Sequence, residues 1–281
     1  MRVERARPLL GTVVAVRAEG PRACIEGAVA RAFEAIADVQ RAMSFHDPDS
    51  ELSRLNRHAA DEAQVVGVRT WRVLRAALAL ARASAGRFDP TVGGRLVAWR
   101  QLPAPAPADI DPAADWRDVE LGRGRRVRYR RPLWLDLGGI AKGYAVDRAV
   151  AALRAAGACT GVVNAGGDLR AFGDALDVVH VREPSDPARA RPLLHLREGA
   201  VATSAGYFSE REGISALVDT RGGGSLGHGI SVTVCAPRAL WADALTKVVL
   251  ADPDAAAPLL RRLHAQAAVL DAAGGLRRLA A

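Results

Sequence analysis

Lysine is nearly missing from this chain of 281 residues: 39 side chains are lysine or arginine, and all but Lys142 and Lys247 are arginine. So lopsided a ratio is the mark of a base-composition bias, and under it each surviving lysine needs a reason. A compact ammonium on a flexible stem supplies a point charge that the rigid guanidinium fork cannot. Cysteine is scarce as well. Cys24, Cys159 and Cys235 lie far apart with no other ligand type beside them. That spacing argues against a disulfide framework and a cysteine-based zinc site, and predicts a reducing compartment. Aromatic residues make up 5% and the arginines are scattered, so nucleic-acid binding is not expected. No apolar run approaches the ~20 residues that span a bilayer, and the first twenty residues carry charges throughout instead of an apolar signal-peptide core. The expectation is a soluble, cytoplasmic protein without membrane insertion. The six histidines show no metal-ligand spacing, and no Ser-His-Asp or Cys-His grouping is visible.

What is present is an ordinary globular composition, 49% apolar and 25% charged, with a net charge of +8 that favours acidic partners. "TVVAVRA" (12–18) predicts a strand. Ile25, Val29, Phe33, Ile36, Val39 and Met43 recur at helical spacing, and a second helix is expected from Trp71 to about Ala85 with Thr70 as its N-cap. The Pro- and Ala-rich stretch 102–115 reads as an irregular excursion. "DVELGRGRRVRYR" alternates about Gly122-Arg-Gly124 and predicts an exposed hairpin. "LWLDL" (133–137) is expected as a short strand before a helix over 140–157. Short β segments follow, then helices from Pro237 split near "ADPDAAAP", then a closing hairpin. Strands without regular βαβ alternation predict an α+β fold with a largely antiparallel sheet, as a single domain over 1–281.

Three glycine- and aspartate-rich loops stand out: "GRFDPTVGG" with Asp89, "LDLGGIAKGYAVD" with Asp136 and Lys142, and "NAGGDL" with Asp168. Glycines before a helix expose backbone N–H groups to an anion, and Lys142 adds charge there; the plainer alternative is a tight turn beside a solvated lysine. Together in a basic protein, the loops point to a phosphate-bearing ligand with a divalent cation. In "ADALTK", Asp243 and Lys247 share a helix face. They form either a surface ion pair, worth ~0.3–0.5 kcal/mol, or part of a cation site in which Asp243 and Thr246 supply oxygens. Thr203 and Ser204 end a strand with hydroxyls placed to meet a phosphate. His46 and His228, both in loops, are the histidines best suited to function.

The blocks "LLGTVV", "MSFHDPDSELSRLN", "GRFDPTVGGRLVAW", "LDLGGIAKGYAVD", "NAGGDL", "VATSAGYF", "VDTRGG", "SVTV" and "ADALTK" follow one another over residues 9 to about 250. In this order they resemble the FAD:protein FMN transferases, the ApbE-type flavin transferases. The resemblance implies an α+β fold that binds FAD with Mg²⁺ and moves FMN to a Thr or Ser hydroxyl of an acceptor flavoprotein, releasing AMP. It assigns Phe88, Asp89, Asp136 and Lys142 to FAD contact, with His46 where a Tyr is common and Leu10 where Met is common. Thr203 and Ser204 fall near the pyrophosphate, and Gly139 (through its carbonyl) and Asp243 fall at the metal. Two departures stand against the family pattern. Lys247 occupies the place of a metal-ligating Thr, with Thr246 about 100° away round the helix. Ala216 occupies the place of a His proposed as base, with Thr220 where Pro is usual, so His228 substitutes only if its loop folds back. Asp243, Lys247 and His228 are therefore the expected catalytic set, with the Lys247 ammonium replacing or flanking the metal. Loss of the His leaves hydrolysis of FAD to FMN and AMP, or non-catalytic FAD binding and delivery, as the alternatives.

Overall fold

The computed structural model describes residues 1–105, 109–174, 176–206, 213–227 and 229–279, with Pro187 as backbone alone. Strands β1 (Arg2–Leu9) and β2 (Thr12–Glu19) lead into helices α1 (Ile25–Met43) and α2 (Glu51–His58). A short strand β3 (Gln64–Val65), helices α3 (Val68–Ala83) and α4 (Gly93–Ala98), and the hairpin β4 (Val119–Gly122) and β5 (Arg126–Tyr129) follow. Helix α5 (Ala141–Ala155) precedes β6 (Thr160–Ala165), β7 (Asp168–Phe172), β8 (Asp177–Glu183), β9 (Asp186–Leu196) and β10 (Gly199–Ala205). The chain ends with β11 (Ile230–Ala236), α6 (Ala239–Ala251), α7 (Pro253–Arg262), β12 (Gln266–Asp271) and β13 (Leu276–Leu279).

The main sheet runs β1-β2-β6-β7-β10-β11-β12-β13, and every neighbouring pair in it is antiparallel. This is the α+β architecture expected. Alternation decides which face is covered. Val14, Val16 and Ala18 of β2, Val163 and Ala165 of β6, and Ala200 and Ala202 of β10 are buried in the same cluster as α1, α5 and α6. Val201 and Ala171 point to the other face, where Val179 of β8 and Leu196 of β9 cover them.

Four local expectations differ from what the chain does. β1 precedes the strand expected at 12–18 and forms the edge of the sheet; its charges fall on both faces, so it shows no alternation. Helix α3 begins at Val68, ahead of Thr70, because Glu51 accepts the Gly67 N–H at 2.9 Å while Thr70 is fully buried. "LWLDL" is extended but joins no sheet. The Asn56 side chain stands in for a partner strand, accepting the Leu135 N–H at 2.8 Å and donating to its carbonyl at 2.9 Å. "SALVD" contributes a single bridge, Val218 to Ser225. The described residues of 102–115 hold no helix or strand, yet Leu102, Ile110 and Ala114 pack on the core and Asp111 donates its N–H to the Pro132 carbonyl at 2.9 Å.

Candidate functional site

Helices α5 and α6 are locked together by carboxylates that each supplies to the other. Asp147 of α5 accepts the first N–H groups of α6, from Ala239 at 3.0 Å and Leu240 at 3.1 Å. Asp243 of α6 accepts the Gly143 N–H, in the first turn of α5, at 3.0 Å. Both acids are buried, so each serves as an N-cap in trans for donors that a helix start leaves unpaired. Gly143 permits the approach: a Cβ there would lie 2.2 Å from the Ala239 carbonyl oxygen.

This contact brings the two lysines into the wall of one cavity of about 800 Å³. Lys247 donates to Asp243 Oδ1 at 2.5 Å and to the Asp243 carbonyl at 3.1 Å. Lys142 pairs with Asp168 Oδ2 at 2.9 Å. Asp168 is set by the two-residue turn between β6 and β7, where Gly166 and Gly167 have φ of 66° and 102° and Asn164 accepts the Gly167 N–H at 2.9 Å. Successive positive φ values of this kind are what glycine adopts without strain. Asp168 beside Lys142 raises that ammonium's pKa, while burial pushes the Asp168 carboxyl up.

The cavity also takes Leu10, His46, Phe88, Asp89, Asp136, Gly139, Thr203 and Ser204 into its lining. Leu10 has φ of 56° in the β1–β2 turn, and its N–H is held by Gln40 Oε1 at 2.7 Å. Asp89 accepts from the Thr91 backbone and hydroxyl at 2.8 and 2.6 Å; burial still lifts its carboxyl pKa. Burial also raises Asp136, opposed by the Gly138 N–H, His46 and Lys247. The Thr203 hydroxyl meets that of Thr233 at 2.9 Å. Met43, Phe45, Val92, Leu96 and Leu217 add an apolar wall. Ala216 and Thr220 line the same space, whereas His228 lies outside the described residues.

Two expectations change here. Asp243 and Lys247 do not form a surface pair, because Asp243 is fully buried. Nor does the expected donor set fit Mg²⁺. One Asp243 oxygen holds Lys247 and the other caps α5. The Thr246 hydroxyl is buried between the Asp243 carbonyl, 2.6 Å away, and the Ser204 hydroxyl, 2.7 Å away. Lys247 also comes close to Gly139, the expected carbonyl donor: a Cβ on Gly139 would sit 3.3 Å from Lys247 Cε. Among the described residues no three His, Cys, Asp or Glu side chains cluster as cation ligands. Sequence reasoning missed Gln40 and the pairing of Asp168 with Lys142. The glycine pair before Asp168 was the available signal.

Fold and site together define an α+β protein built around a ligand-sized cleft. A sequence model described as the ApbE family matches residues 10–270, and the chain belongs to that family. It is similar to an FAD:protein FMN transferase of Treponema pallidum, with 29% identity over 86% of this chain and 76% of the relative. An FAD:protein FMN transferase of Vibrio cholerae is 30% identical over 75% of this chain and 69% of its own length. Among solved structures, an ApbE protein from Thermotoga maritima superposes with a TM-score of 0.86 at 28% identity, covering 99% of this chain and 97% of that one. A flavin transferase ApbE from Vibrio cholerae gives 0.84 at 22% identity, over 99% of this chain and 96% of the other, a likeness of fold.

Proposed function

We propose that this protein is an FAD:protein FMN transferase. The observation that carries the reading is the convergence of both lysines of the chain with an apolar, aromatic-bearing wall in a cavity of about 800 Å³, within the usual range for small-molecule sites. The apolar wall with Leu10, Phe88 and His46 would take the flavin ring system. Asp89 and Asp136 offer acceptors for ring or ribose donors. Lys142 and Lys247, with Thr203 and Ser204 beside them, would face the pyrophosphate. Family membership and relatives named for this activity support the same reading.

In the reaction a Thr or Ser hydroxyl of the acceptor flavoprotein attacks the phosphorus on the FMN side of the pyrophosphate. A new O–P bond forms and the bridging O–P bond breaks. AMP leaves with the pair of electrons, and the hydroxyl proton passes to a base or to solvent. Negative charge builds on the departing phosphate, and fixed ammoniums aimed at it stabilise that charge. The side chains expected to hold Mg²⁺, Asp243 and Thr246, are engaged with protein partners instead. The hydrophobic cluster running from Val3 to Leu279 supports treating the chain as one ApbE-like unit, and three unpaired cysteines support a cytoplasmic location.

The test is incubation with FAD and a candidate acceptor protein, followed by a denaturing gel. A yellow-fluorescent acceptor band with stoichiometric AMP is expected. Free FMN with AMP and no labelled band would assign hydrolysis instead, and intact bound FAD with neither product would assign binding alone.

A further inference from the structure

We propose that Lys247 is a built-in cation that does at the FAD pyrophosphate what a divalent metal would otherwise do, so that this protein binds FAD without one. The inference rests on the transferase reading for the identity of the ligand, and goes beyond it in assigning the countercharge.

An ammonium has three N–H donors. Lys247 spends two of them on its own helix, one on Asp243 Oδ1 and one on the Asp243 carbonyl. Among the described residues no further acceptor engages it; its side chain is 21% exposed and lines the cavity, so the third donor can meet a ligand. Asp243 is 0% exposed and keeps both oxygens occupied, so it orients the ammonium without competing for the ligand. The stem passes close over Gly139, where a Cβ would sit 3.3 Å from Lys247 Cε and 3.8 Å from Cδ.

A divalent ion at the same place would have to displace this ammonium and uncap α5. It would also repel Lys142, which stands on the same carboxylate cluster and responds to Asp243 as well as Asp168. An arginine could not take the role. Its planar fork is built for bidentate pairing, whereas here one tetrahedral donor must bridge a buried carboxylate and a ligand oxygen. This accounts for a lysine at 247 in a chain that otherwise uses arginine almost throughout.

The experiment measures FAD affinity by fluorescence quenching and calorimetry on the whole chain, with EDTA and with Mg²⁺, for the parent protein and Lys247→Thr. The parent protein is expected to bind FAD equally in both buffers. Lys247→Thr should lose about tenfold or more in EDTA, the scale of one charge-assisted hydrogen bond. Tight parent binding that appears only with Mg²⁺ would overturn the proposal while leaving the transferase reading intact. So would a folded Lys247→Thr that binds as the parent does in EDTA. Failure of the parent to bind FAD in either buffer would overturn both. The parent measurement needs no variant, so the proposal stays testable if Lys247→Thr does not fold.

Discussion

Asp136 lines the cavity with a carboxyl pKa raised above its ordinary 3.8, chiefly by burial. A carboxyl raised on folding binds more protons in the folded chain than in the unfolded one. Stability therefore falls as pH rises through the interval between the ordinary and the raised pKa. Asp136→Asn removes that loss while keeping an acceptor for the Gly138 N–H. The ligand-free variant should melt at a higher temperature than the parent at neutral pH, with the difference closing in acid below the ordinary pKa. Thermal scans from acid to neutrality check this, and a variant no more stable at neutrality would show that the carboxylate is compensated by its neighbours. FAD binding should weaken in the same variant, because a residue that costs stability in the empty protein is placed for its ligand.

At the scale of elements, the pairing of α5 with α6 does more for the site than either helix alone. Gly143→Ala puts a Cβ against the Ala239 carbonyl and Asp243 Cβ, at 2.2 and 2.9 Å. Overpacking of this kind costs about 1–3 kcal/mol, against a gain in helix propensity of about 1 kcal/mol. Denaturant unfolding should show a net loss, and FAD affinity should fall as Lys142 and Lys247 move apart; unchanged stability would mean that the helices slide freely. These elements differ in how far they can be read in advance. The β4–β5 hairpin and α1 announce themselves by period, since each buries one regular face. The extended stretch at 133–137 and the start of α3 do not, because the groups that decide them, Asn56 and Glu51, come from other parts of the chain. The cross-capping by Asp147 and Asp243 is hidden for the same reason.

Taken whole, the molecule carries a net charge of +8, but its cleft is not simply basic. Asp89 and Asp136 line it, and Asp168 and Asp243 stand behind the two ammoniums. The overall charge draws an anion in at long range and is screened by salt; discrimination at short range falls to the lysines. The ordered blocks from "LLGTVV" to "ADALTK" made most cavity residues legible, whereas which acid faces which base was not, since that depends on helix packing. Lysine scarcity has one further consequence, a practical one. Reagents that alkylate primary amines leave arginine untouched, so within this sequence reductive methylation with isotope-enriched formaldehyde marks just two side chains, Lys142 and Lys247. FAD should shield both lysines; labelling of Lys142 and Lys247 that FAD leaves unchanged would place the ligand elsewhere. The composition that made two residues conspicuous thus turns them into a pair of spectroscopic reporters inside the cleft.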